Sequence, residues 1–430
     1  MMSETRDPVS VDIESMLLTG PPSSPNIPTI FRVDHDTRHG SENLYDPKVV
    51  SIGPFHHQTT HLQKMQPHKL AYLKGLLKRR GESVVDECVA AVRSLEEKAR
   101  GSYSETIEVS PDELVKIIVL DGLFVVELLR KNKMDDLRKQ NDPIFRYDQV
   151  FLMVQRDLML VENQVPFFVL DRLFAMTRGQ EPEDNIFYLV NLFTKNIPLW
   201  PNASEFLGTQ VEDNVDDHLL GLVYKNLLSS FKKRKADSDG PIDDISLAVN
   251  SVSELKETWV EFKKSNCLDI TFAGGVLRIP KLRVEDETES FLRNLIAYEQ
   301  FFADGRPKYV TDYTFFLHCL VKRPRDVEIL RRRGILDNYL GGDEMVCRVF
   351  GSLGRNVVVS SWDFRYAGVS KEVNGYCGRR RNRWMAVLRR DYFNSPWSFI
   401  KFCAASLLLL FTLIQTLFAV LGDGKFKSSI

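Results

Sequence analysis

One stretch limits the possible folds more than any other. Residues Phe402 to Leu421 read FCAASLLLLFTLIQTLFAVL and carry no charge. About 20 residues at the helical rise reach roughly 30 Å, the hydrocarbon thickness of a bilayer. Only a helix satisfies every backbone N–H and C=O within such a single segment. A core helix of a soluble domain is seldom apolar on all faces over this length. Phe402, Leu410 and Leu421 therefore mark the start, middle and end of an expected transmembrane helix, the lipid bilayer being its partner.

Arg379, Arg380, Arg381, Arg383, Arg389, Arg390 and Lys401 precede this stretch, with Trp384, Tyr392 and Trp397 among them. Aromatic rings favour the headgroup layer, and cations favour the cytoplasmic side. The tail beyond Leu421 holds only Lys425 and Lys427 as cations. This bias favours a single-pass protein of the plasma membrane or an endomembrane, with its large domain in the cytoplasm. Ala405, Thr412, Gln415, Thr416 and Ala419 recur near heptad spacing, a face through which membrane helices associate. A homo-oligomer is one reading; a helix tolerating a few weak polar groups is the other.

Lys plus Arg total 57 against 58 for Asp plus Glu, so overall charge points to no nucleic-acid partner. Cys88, Cys267, Cys319, Cys347, Cys377 and Cys403 are scattered and form no CxxC pair, unlike a disulfide framework or a zinc module. The amino terminus lacks an apolar segment behind a basic start, so no cleavable signal is expected.

Residues 1–27 read as a disordered leader and 28–396 as one mainly helical domain, with a sub-domain break near 236–247. Residues 397–421 form the membrane helix and 422–430 a short tail. Within the domain, Pro28 to Met65 reads as a loop with brief strands. Ser110-Pro111-Asp112-Glu113 has a Ser cap, Pro in the first turn and early acids, and opens an apolar helix to Leu129. Tyr147 to Phe174 reads as a long apolar helix that Pro166 kinks or divides. LDITFAGGVLRIP alternates around Gly274-Gly275 as a β-hairpin does. The expected fold class is mainly α: a helical domain, a small β-hairpin and one carboxyl-terminal transmembrane helix.

Taken in order, the phrases are Ser51-Ile52-Gly53-Pro54-Phe55-His56-His57, Asp121-Gly122-Leu123-Phe124, and Glu162-Asn163-Gln164-Val165-Pro166-Phe167. Leu268-Asp269-Ile270, Arg293-Asn294-Leu295-Ile296-Ala297-Tyr298-Glu299-Gln300 and Pro396-Trp397 follow. Over residues 28–421 this pattern resembles the plant family known as domain of unknown function 247. The resemblance implies a single-pass membrane protein of land plants with no established enzymatic activity. Some grass members of that family are implicated in self-incompatibility, as pollen-side recognition determinants. Members have also been drawn with the large domain outside the cell, against the charge bias here.

The residues themselves point to little chemistry. His35, His39, His56, His57, His61 and His68 cluster without metal-ligand spacing, and a turn with ordinary hydrogen bonds is the favoured reading. Glu162, Asn163, Gln164 and Pro166 interrupt an apolar run and read as a buried polar knot that fixes helix packing. The sharper alternative is a hydrolase-like enzyme using Glu162 with Asp121, Glu127 or Asp157 as acid and base. Glu289, Asn294, Glu299 and Gln300 invite the same two readings, capping and core bonding being preferred. No catalytic residue, cofactor or metal is assigned. The expected function is a membrane-anchored recognition or scaffold module that binds an unknown protein partner.

Overall fold

The computed structural model describes residues 7–19, 28–38, 40–179, 185–195, 197, 217–229, 247–265, 268–301, 308–355, 357–360, 363–379 and 396–426. His39, 236–246, Cys267, Arg380 to Arg390 and Tyr392 lie outside them. Helices dominate and fall into two units. The first comprises Met1–Asp34, Asp46–Leu192 and Gln210–Leu222; the second His35–Tyr45, Phe193–Thr209 and Val223–Ile430.

The first unit begins with α1 (Pro8–Thr19); the one-turn helix α2 (His35–Arg38) belongs with the second. Helices α3 (Gln66–Arg80), α4 (Ser83–Ser94), α5 (Glu96–Gly101), α6 (Pro111–Lys133), α7 (Pro143–Arg146), α8 (Asp148–Asp157) and α9 (Phe167–Met176) make its body. The expected cap of α6 is present: the Glu113 N–H donates to Ser110 Oγ at 3.2 Å, Pro111 occupies the first turn and Asp112 and Glu113 face the positive dipole end. Leu114, Ile118, Phe124, Leu128 and most other residues of α6 are buried, as befits a helix that is apolar around much of its circumference. Helices α3, α4 and α9 pack around it. Two more helices, α10 (Ile186–Thr194) and α11 (Leu219–Ser229), run across the boundary between the units.

Pro166 does not divide one long helix at a point. Helix α8 ends at Asp157, α9 begins at Phe167 with Pro166 at its cap, and Leu158 to Val165 form a buried turn. Among the described residues the Pro28–Met65 segment contains no paired strand; it holds an isolated bridge from Ile30 to Tyr103, the one-turn helix α2 and short 3₁₀ turns.

In the second unit α12 (Val252–Glu257) opens on a reciprocal capping box of Ser251 and Glu254. The expected hairpin is β2 (Thr271–Ala273) with β3 (Val276–Pro280), Phe272 opposite Leu277. Gly274 and Gly275 have φ of 60° and 84°, which a tight hairpin turn of this hand requires. Strand β1 (Glu261–Ser265) adds to β3 in parallel, Phe262 opposite Leu277, giving the order β1-β3-β2. Strand β4 (Leu282–Val284) precedes α13 (Thr288–Phe301), α14 (Tyr309–Leu320) and α15 (Pro324–Arg332), and pairs in parallel with β5 (Leu336–Asn338). Helices α16 (Asp343–Leu353) and α17 (Ala367–Gly378) follow. Asp326 ties α15 to α12: it accepts the Ser253 N–H at 2.7 Å and the Ser253 hydroxyl at 2.6 Å, and the N–H groups of Lys322 and Arg323.

The last helix, α18, runs Pro396–Phe426. Within it Ile400–Phe418 has a mean hydropathy of 1.9, none of that window is buried, and its length and composition are sufficient to cross a membrane. Phe402 and Leu410 are exposed, while the side chain of Leu421 lies outside the described residues. The hydroxyls of Thr412 and Thr416 donate to the carbonyls of Leu408 and Thr412, at 2.8 and 2.7 Å, within their own helix.

Candidate functional site

The polar residues of the first unit converge on a segment without regular secondary structure, Asp46 to Phe55. A buried backbone must pair its N–H and C=O groups somewhere, and here side chains take the place of a ladder. Asp157, at the end of α8, accepts the N–H groups of Lys48, Val49 and Val50 at 2.7–3.0 Å. Arg156 donates to the Asp46 carbonyl at 2.7 Å and to Asp157 at 2.8 Å. Asn163 accepts the Ile52 N–H at 2.6 Å and donates to the carbonyls of Val50 and Asp157 at 3.0 and 2.9 Å. Asp121, from α6, takes the Gly53 N–H at 2.9 Å, and Lys69, from α3, bonds both Asp121 and the Ser51 carbonyl.

The approach is closest at Gly53. Its φ is 77°, and a Cβ there would lie 2.3 Å from the Gln164 carbonyl oxygen. That same oxygen accepts the Tyr103 hydroxyl at 3.1 Å, and Gln164 Nε2 donates to the carbonyls of Leu158 and Leu160 within the turn. Pro166 has no N–H to place, and the Phe167 N–H donates to the Asp217 carbonyl at 2.6 Å.

Glu162 is 1% exposed. It accepts the Val33 N–H at 2.8 Å, and its second oxygen lies 3.5 Å from His56 Nε2 and 3.6 Å from Arg32 Nη1. Arg32 also donates to the Phe55 carbonyl at 3.0 Å and stacks over the Phe55 ring. Asp121, Glu127 and Asp157, the carboxylates considered as its acid–base partners, are engaged by other groups: Glu127 pairs with Arg79 and, at 3.2 Å, with Arg130. The groups that meet Glu162 are His56, Arg32 and the Val33 backbone, more than 100 residues away in sequence. Burial pushes the Asp121 carboxyl above its ordinary value, against the pull of Lys69 and the Gly53 N–H. Burial likewise raises Asp157, and the Lys48 N–H, Arg156 and the Val50 and Val49 N–H groups oppose it.

The histidines turn to separate partners. His57 Nε2 lies 3.7 Å from Glu113 and His61 Nε2 3.4 Å from the Pro47 carbonyl. Among the described residues no group of His, Cys, Asp and Glu is placed to hold a metal ion.

A second polar cluster joins α13 to α14. Glu299, buried at the end of α13, accepts the N–H groups of Val310 and Thr311 at 2.8 and 2.7 Å and the Thr311 hydroxyl at 2.7 Å. A carboxylate there answers the orphan donors and the dipole of α14. Asp312 accepts the Arg365 N–H at 2.7 Å, and Arg365 forms a two-pronged pair with Asp269. Burial raises the Glu299 carboxyl and takes Asp312 up to about 7. Asn294 donates to the carbonyls of Leu44 and Ser290, and Glu289 accepts from Arg293 and Ser352. The Gln300 amide nitrogen is buried without a hydrogen bond.

Concavities of about 770 and 330 Å³ lie along α15, and Glu162 is in the lining of neither. Sequence reading singled out Glu162 to Gln164 because polar residues interrupt an apolar run. It did not connect them to Lys69, Arg32 or Tyr103, whose signals are ordinary in isolation.

Comparison with known proteins places the chain. No solved structure matches it. A UPF0481 protein of Arabidopsis thaliana, At3g47200, is 31% identical over 421 residues, covering 91% of this chain and 86% of the relative. A second, described as a putative UPF0481 protein, At3g02645, also of Arabidopsis thaliana, is 23% identical over 90% of this chain and 89% of its own length. The family model for DUF247, described as plant protein of unknown function, matches residues 30–411. The chain therefore belongs to the DUF247 family of plant proteins.

Proposed function

We propose that this protein is a membrane-anchored recognition or scaffold module, with α18 as a single-pass anchor and the helical units offering a surface to a protein partner. The observation that carries the reading is Ile400–Phe418, a helical window that is uncharged beyond Lys401, predominantly apolar, and buried over none of its length. Exposed apolar surface of that extent in water is unfavourable by about 25 cal/mol per Å², and lipid removes the penalty. The basic residues before the anchor favour a cytoplasmic body and a membrane with anionic headgroups on that face.

The polar knot supports a structural role for Glu162, Asn163, Gln164 and Pro166. Asn163, the Gln164 amide nitrogen and one oxygen of Glu162 are spent on backbone groups of Val33, Val50, Ile52 and the 158–166 turn, and the second Glu162 oxygen faces His56 and Arg32. The hydrolase reading asks Glu162 to meet a substrate, and a carboxylate 1% exposed offers none an approach. Self-association of the anchor rests on the small residues Ala405 and Ala419 and on Gln415, because Thr412 and Thr416 bond within their own helix.

The test is alkaline extraction of sealed membranes carrying either the full chain or a chain ending at Pro396. The full chain is expected to stay in the pellet and the shortened one to leave with the supernatant. Release of both would overturn the anchor. Protease protection of an amino-terminal tag in the same vesicles reads the orientation, a cytoplasmic body being digested.

A further inference from the structure

Trp259 links α12 to β1 with φ at 68°, the left-handed region that bulky side chains rarely adopt. Its side chain is 57% exposed. Backbone strain of this kind clusters at binding and switch sites. The Trp259 N–H donates at 3.3 Å to the carbonyl of Lys256. Lys256 lines the concavity of about 330 Å³ with Arg325, Glu328, Ile329, Arg332 and Arg333. Three guanidinium groups, Arg325, Arg332 and Arg333, thus stand around one carboxylate, and Glu328 is engaged with Arg332 at 2.6 Å. The apolar side of α15 is already occupied, Val327 and Leu330 being buried in the unit's core. Its outward side is exposed and cationic at Arg325 and Arg332, as are the residues flanking its ends, Lys322, Arg323 and Arg333.

We propose that this face of the second unit docks on an anionic membrane surface. Arg325 and Arg333 receive lipid phosphates, and the Trp259 indole sits in the headgroup layer. Guanidinium groups match phosphate oxygens in geometry as well as charge, and an indole prefers the water–lipid boundary, where its ring is dry and its N–H wet. The inference rests on the anchor reading, because a chain tethered through Ile400–Phe418 meets headgroups at high effective concentration. Polybasic surfaces near such a tether bind acidic lipids, and the attraction is screened by salt. A soluble polyanion would also meet the cations, which makes it an outcome to be tested.

The experiment reconstitutes the full chain in nanodiscs whose acyl chains carry bromine, a short-range quencher of indole fluorescence. Discs of phosphatidylcholine alone are compared with discs that also contain phosphatidylserine. Trp259→Phe isolates this indole from the other tryptophans, and Arg325→Glu with Arg333→Glu removes the charge. Wild type is expected to lose more fluorescence than Trp259→Phe in the phosphatidylserine discs. That difference should vanish in phosphatidylcholine, in the double charge reversal and at high salt. Equal quenching of wild type and Trp259→Phe in every disc would overturn the docking while co-elution of chain and disc still upheld the anchor. Failure to co-elute would overturn both. Loss of the phosphatidylserine effect's specificity, with an oligonucleotide or polyaspartate giving the same fluorescence change, would reassign the surface and overturn the lipid reading.

Discussion

Asn163 shows how one amide can decide a local conformation. Its carbonyl oxygen takes the Ile52 N–H, and its nitrogen serves the carbonyls of Val50 and Asp157. Removing the amide strands these groups in a dry interior, where an unmet donor or acceptor costs about 1–3 kcal/mol. Asn163→Ala is therefore expected to destabilise the protein by roughly 2–4 kcal/mol, read as a fall in the urea midpoint at unchanged slope. Asn163→Asp keeps the acceptor but turns a carboxylate on two carbonyls, and is expected to fare no better. If the alanine variant unfolds at the wild-type midpoint, the knot does not hold the Asp46–Phe55 segment. That Asn163 and its neighbours are polar in an apolar run was legible in the sequence. Their partners were not, because hydrogen bonds spanning 111 and 129 residues leave no spacing to read.

The elements show the same division. The start of α6 was legible because a cap, a first-turn proline and early acids are local signals that act on the nearest backbone groups. The β2–β3 hairpin was legible for the same reason, its turn resting on two adjacent glycines. Strand β1 was not, since its parallel pairing to β3 carries no turn chemistry of its own. The start of α14 also depends on a distant group, the Glu299 carboxylate of α13, and lies beside Asp312. Burial raises Asp312 from 3.8 to about 7, so the folded chain holds a proton there that the unfolded chain has released. Stability from this group is thus greatest near the lower value, falls as pH rises through that window and levels off above it. Urea midpoints measured from about pH 4 to about pH 8 are expected to fall less steeply in Asp312→Asn than in wild type. Identical profiles would show that Asp312 titrates normally. The introduced amide oxygen can still accept the Arg365 N–H, which keeps the comparison one of charge.

For the molecule as a whole, under the proposed anchoring the last helix and the folded units answer to different solvents. Burial inside protein holds α6 in place, whereas Ile400–Phe418 is not buried at all and lipid is the environment that suits it. An arginine at the centre of a spanning helix costs about 2.5–3.5 kcal/mol on insertion scales. Leu410→Arg is expected to shift a measurable share of the chain from the alkaline-resistant pellet to the supernatant, while Asn163→Ala leaves that partition unchanged. Both variants behaving alike would mean that membrane retention depends on the folded units.

By itself the sequence determined what short-range chemistry determines: the apolar helix of bilayer length, the cap of α6, the glycine hairpin and a mainly helical class. Each depends on the side chains within a few residues of one another. The tertiary structure alone decided that Asp46–Phe55 is held by Lys69, Asp121, Asp157 and Asn163, and that Glu162 meets Arg32 and His56. Those pairings are settled by packing, since a buried polar group takes whichever partner the closing core brings within reach.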